Sequence, residues 1–93
     1  MATQNQTVTN NWVDVKSALS LSDGQKYTFE CTGSFPVRVF ESASTPEDGV
    51  YGHVLYPNDG ANKISVTPAN GVNVYVRTPQ KSQESNLTVT EAV

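Results

Sequence analysis

The chain is predicted to be all-β: a small antiparallel β-sandwich of about seven short strands, Ig-like or jelly-roll-like, with no substantial helix. Three observations predict it. Several stretches alternate apolar and polar residues with a period of two, most clearly Val72-Asn73-Val74-Tyr75-Val76-Arg77. Turn signals rich in Gly, Pro, Asn and Asp recur at intervals of roughly ten residues. No stretch sustains a 3.6-residue apolar period over a useful helical length, and no solenoid-length repeat is present.

Residues 1–11 are almost entirely Thr, Gln and Asn, with Val8 the only buried-type residue after Ala2. They read as a flexible polar arm, loose unless another chain or a sheet edge ties it down, ahead of a single β-sandwich domain over 12–93. Trp12-Val13-Asp14-Val15 is the first short strand, with Trp12 as the largest apolar anchor. The stretch from Asp14 to Leu21 lacks helical length and period, so it is expected to be irregular or extended, ending in the Ser22-Asp23-Gly24 turn.

From Lys26 to Cys31 the alternation puts Tyr27, Phe29 and Cys31 on one face. The short Gly-containing loop that follows leads through Phe35-Pro36 into Val37-Arg38-Val39-Phe40-Glu41, so these two strands are expected to form an antiparallel hairpin. Residues 42–49 form the longest polar loop. Residues 50–56 resume an extended character, and Gly52 inside them marks a bulge or a close backbone approach. After the turn at Pro57-Asn58-Asp59-Gly60, Ile64 and Val66 alternate with Lys63, Ser65 and Thr67.

Asn70-Gly71 then enters the clearest strand, with Val72, Val74 and Val76 facing inward and Asn73, Tyr75 and Arg77 outward. Beyond the polar connection at 78–85, Leu87 and Val89 define the closing strand. The expected core is Trp12, Leu19, Leu21, Tyr27, Phe29, Cys31, Val37, Val39, Val54, Ile64, Val66, Val72, Val74, Val76, Leu87 and Val89. Each contributes roughly 1.5–3 kcal/mol when fully buried, enough together to offset much of the chain entropy.

Ninety-three residues give one domain. The single Cys forms no intrachain disulfide, and no Cys/His spacing suits a metal. A small domain without such a staple leans on tight packing or on neighbouring subunits. The net charge of -3 argues against a nucleic-acid partner, whose recognition needs clustered Lys and Arg. No apolar run approaches the roughly 20 residues that span a bilayer. The beginning of the chain lacks a basic segment followed by an apolar one, so synthesis in the cytosol is expected.

Chemistry is hard to find. Cys31 continues the face of Tyr27 and Phe29, where a cysteine is a small buried hydrophobe. His53 is the only histidine, and no nucleophile motif accompanies it. Glu47-Asp48 and Asn58-Asp59 carry the oxygens a Ca²⁺ site would need, but Asp and Asn before Gly are also what turns require. There is no Gly-rich phosphate loop. The residues thus point to no enzyme, no cofactor and no metal. Arg38, Tyr75 and Arg77 on polar strand faces are the candidate interface, since interfaces favour Tyr and Arg.

Several stretches resemble small structural proteins of tailed-bacteriophage virions, the head decoration or cementing proteins and fibre-type modules. They are Trp12-Val13-Asp14-Val15, Leu19-Ser20-Leu21, Gly24-Gln25-Lys26-Tyr27-Thr28, Pro36-Val37-Arg38-Val39, Gly52-His53-Val54-Leu55 with Pro57, Val74-Tyr75-Val76-Arg77 and Leu87-Thr88-Val89-Thr90-Glu91-Ala92. The resemblance implies a non-enzymatic module of the virion, made in the bacterial cytoplasm. Its expected partner is the major capsid protein or another virion protein, which it binds on the shell exterior as a homo-oligomer, a trimer being favoured. The alternative is a carbohydrate- or receptor-binding module of a tail or fibre, with Trp12, Tyr51, Tyr56 or Tyr75 as an aromatic platform.

Overall fold

The structure is a computed structural model that describes residues 3–47, 50, 52–57 and 62–91. Two four-stranded sheets face each other across one core. The strands are β1 (Thr3–Val8), β2 (Val13–Asp14), β3 (Tyr27–Cys31), β4 (Val37–Ser42), β5 (His53–Leu55), β6 (Lys63–Val66), β7 (Asn73–Arg77) and β8 (Ser85–Glu91). One helical turn, α1 (Val15–Ala18), follows β2. The first sheet has the order β1-β8-β3-β6 and the second β2-β7-β4-β5. Every pairing is antiparallel.

This order has a simple origin. The pairs β1·β8, β2·β7, β3·β6 and β4·β5 are those of one long antiparallel ribbon folded back between β4 and β5. Rolling that ribbon alternates successive strands between two layers and adds the contacts β3·β8 and β4·β7. That winding is the jelly roll, one of the two expected architectures.

It also corrects the expected hairpin. The strands β3 and β4 do not pair; they lie in different sheets, joined by a crossing over residues 32–36. The crossing is held against the start of β8: Thr32 N donates to Asn86 O at 3.0 Å, and Ser85 Oγ donates to Phe35 O at 2.6 Å. A Cβ on Gly33 would collide with Ser85 and Asn86, so only glycine allows this approach.

The core matches the alternation where alternation is clean. Tyr27, Phe29 and Cys31 on β3, Val37 and Val39 on β4, Val66 on β6, Val74 and Val76 on β7, and Leu87 and Val89 on β8 are all buried. Leu19 and Leu21 are buried as expected, joined by Val8 and Val15, which were not on the expected list. Ile64 packs against this cluster from the edge strand.

Three expected core members are not in it. Trp12 and Val72 are only half-buried, and β5 is out of phase by one: Leu55 is fully buried opposite Val37, while half-buried Val54 stands opposite Arg38. Just before β5, Gly52 has a φ of +66° and brings its backbone onto the Val39 carbonyl, where a Cβ would clash, the close approach expected there.

Two local expectations are also corrected. The polar stretch taken for a flexible arm is a strand through Thr3–Val8, paired along its length with β8 from Thr3 opposite Thr90 to Val8 opposite Ser85. Its side chains are polar, but fully buried Val8 fixes one end, and Gln4 Nε2 donates to Leu19 O at 3.0 Å. The segment after Asp14 is helical for one turn. The Asp14 carboxylate caps it, accepting from Lys16 N at 3.1 Å and Ser17 N at 3.4 Å. Lys16 Nζ then donates to Ala69 O and Val72 O, both at 2.9 Å, and pairs with Asp23. The turn before β7 closes as expected, with Val72 N donating to Ala69 O at 3.1 Å.

Candidate interaction surface on the second sheet

Register decides which side chains share the outer face of the second sheet. Val13 opposes Val76 and Asp14 opposes Tyr75, so Trp12 falls beside Arg77. The Arg77 guanidinium carbon lies 5.1 Å from the centroid of the Trp12 ring, a cation–π contact. Arg38 opposes Arg77 on one side and Val54 on the other. One row of side chains, Trp12, Arg77, Arg38 and Val54, therefore crosses all four strands. The next row holds Asp14, Tyr75 and Phe40.

The three residues expected at an interface are thus brought together on one face, but not as exposed groups. Tyr75 is 6% and Arg77 8% exposed, and Arg38 is half-buried. The reason is the size of their neighbours: Trp12 roofs Arg77, and Phe40 flanks Tyr75. The Tyr75 hydroxyl accepts from Asn73 Nδ2 at 3.3 Å. Two arginines directly opposed across β4 and β7 repel. The negative ring face of Trp12 offsets part of that charge. Tyr75 and Arg77 form the floor of the surface rather than its contact layer.

The solvent-reaching part lies at one end. Tyr56 is 49% and Phe35 39% exposed, the two exposed large apolar side chains among the described residues. The pair Val37–Leu55 ends the register, so Pro36 and Tyr56 lie just beyond it on the outer face, beside the Arg38 row. Half-buried Trp12, Arg38, Phe40 and Val54 connect this end to the rest of the sheet. Phe35 sits on the crossing between the two sheets, ahead of β4 and outside the register that defines this face. The signal for Trp12 lay in the alternation itself: Val13 and Val15 face inward, which turns Trp12 to the opposite face.

The other sequence candidates behave as structural groups. Cys31 is buried, with its thiol donating to Phe35 O at 3.2 Å, the carbonyl that also accepts from Ser85. His53 is exposed on β5, in the other sheet from Cys31 and Ser85. It lines a cleft of about 400 Å³ between the β5 and β6 edges with Glu41, Ile64 and Thr67. Among the described residues no three His, Cys, Asp or Glu side chains converge to hold a metal ion. Asp48, Asn58 and Asp59 of the acidic turns, and Tyr51, lie outside the described residues. Among the described residues no helix is long and apolar enough to cross a membrane.

Fold and surface together define a class: a minimal eight-stranded jelly roll that carries aromatic and arginine side chains on the outside of one sheet. No family model matches the chain, and no curated protein or solved structure matches it either.

Proposed function

We propose that the chain is a non-enzymatic structural component of a bacteriophage virion, a decoration or cementing protein that binds the capsid exterior and stabilises the shell. The observation that carries this reading is the outer face of the second sheet. Trp12, Arg38, Phe40 and Tyr56 are the residue types that dominate interface cores, and register gathers them on one side of a small domain. The resemblance over residues 12–92 points the same way. By fold analogy alone, jelly rolls include viral capsid domains and lectins.

In this reading the large side chains of the second sheet meet the major capsid protein or another virion protein, and binding adds stability by mass action to each partner. Purified protein mixed with particles that lack it is expected to co-sediment with them and to raise the temperature at which they release DNA. Failure to bind such particles, together with absence from mature virions by mass spectrometry, contradicts the reading. Exposed Tyr56 also favours the second reading, a carbohydrate-binding module of a tail or fibre. Glycan-array binding that Tyr56→Ala abolishes, with no binding to particles, would select it instead.

A further inference from the structure

We infer that β1 is a self-pairing edge: two copies of this chain join β1 to β1 about a two-fold axis, making one continuous eight-stranded sheet. The inference stands apart from the shell-binding reading, which uses the other sheet.

The four sheet edges differ. β2 has two residues, β5 three and β6 four, the last beginning with exposed Lys63. β1 has six and pairs on one side only, with β8. Natural edges are blunted by shortness, charge, proline, a bulge or a covering segment. Thr3-Gln4-Asn5-Gln6-Thr7-Val8 contains no charge, no Pro and no Gly, and every β1 residue opposes one residue of β8 without a bulge. Among the described residues, no other segment makes a backbone hydrogen bond to β1. Gln4 reaches inward to Leu19 O, and Gln6 Nε2 folds back onto Thr7 O at 2.9 Å, a local bond that an incoming strand can replace. Thr3, Gln4, Asn5 and Thr7 are all exposed.

A second copy fits this edge better than an arbitrary strand, for reasons of charge and symmetry. The chain carries a net charge of -3, so copies repel in general, yet β1 offers a neutral line along which they can approach. A two-fold axis normal to the sheet makes the pairing antiparallel and keeps inner faces aligned with inner faces. Centred on Asn5, it sets Asn5 against Asn5, Gln4 against Gln6 and Thr3 against Thr7 of the other copy. Amide faces amide and hydroxyl faces hydroxyl, the pairings that stabilise polar strand ladders. Val8, fully buried in its own core, stays outside the pairing.

The test is self-association of the full chain by sedimentation from micromolar to millimolar concentration, with circular dichroism verifying the fold of each variant. Wild type is expected to pass from monomer to dimer. T3K/N5K/T7K and T3D/N5D/T7D are each expected to stay monomeric, since every outer-face pair becomes a like-charge pair, and an equimolar mixture of the two is expected to dimerise. Asn5→Cys is expected to form a disulfide-linked dimer on mild oxidation, because opposed strand residues lie within bridging distance. A control Thr28→Cys, mid-sheet, is expected not to. A wild type that is monomeric throughout, or a trimer, overturns the inference. So does Asn5→Cys that remains uncrosslinked when folded, which keeps the test decisive even where the triple variants fail to fold.

Discussion

The two outer faces of this sandwich obey the same alternation and carry opposite chemistry. Outside the first sheet, register lines up Thr3, Thr90, Thr28 and Ser65 in one row and Asn5, Thr88, Glu30 and Lys63 in the next. These are mostly short hydroxyls and amides that bond one another, as Thr88 Oγ1 does to Asn5 Oδ1 at 2.9 Å and Thr32 Oγ1 to Thr88 Oγ1 at 3.1 Å. Outside the second sheet the corresponding rows hold Trp12, Arg77, Arg38 and Val54, then Asp14, Tyr75 and Phe40. Large side chains there bury one another without a covering layer, which is why Tyr75 and Arg77 are as inaccessible as core residues. The difference teaches that an outward position in a strand is not the same as an exposed one. Neighbour size decides.

That contrast can be broken or sharpened by substitution. The largest effect is expected at the shared interior: Phe29→Ala removes a fully buried ring and should destabilise by about 3–5 kcal/mol, read from urea unfolding. On the outside of the second sheet, Trp12→Ala should cost about 2 kcal/mol, because it strips the ring from Arg77 as well as apolar area. A value near zero would mean that this face is not self-packed. Asp14→Ala unties α1 and should cost about 1 kcal/mol, whereas Asp14→Asn should keep most of the cap. Outside the first sheet, Thr28→Ala should change stability by less than about 0.5 kcal/mol. If Thr28→Ala and Trp12→Ala cost the same, the distinction between the faces fails.

How much of this was legible depended on the size and purity of each signal. The β3, β7 and β8 interiors were readable because Tyr27, Phe29 and Cys31, Val74 and Val76, and Leu87 and Val89 alternate with polar residues without interruption. β5 was not, since Val54 and Leu55 are adjacent and either could face inward; the close backbone approach at Gly52 was legible, but not which of the two residues follows it into the core. β1 was read as an arm because six residues with one apolar side chain carry no strand signal of their own. The strand exists through backbone pairing with β8. The missing β3–β4 hairpin has the same lesson at the level of topology, because a local loop cannot report that its two strands enter different sheets. As for the candidate surface, parity put Arg38, Tyr75 and Arg77 on the polar sides of their strands and register joins them on one face, whereas the burial of Arg77 depends on Trp12, some sixty-five positions away in sequence.

The proposal that the second sheet is the contact side is tested most directly by titrating particles that lack the protein with three folded variants. Wild type and Thr28→Lys, altered on the first sheet, should bind with equal affinity. Tyr56→Ala should bind at least about tenfold more weakly, the effect of losing the exposed aromatic anchor of the second sheet. Equal binding by wild type and Tyr56→Ala, with affinity lost in Thr28→Lys instead, would place the contact on the opposite face and contradict it.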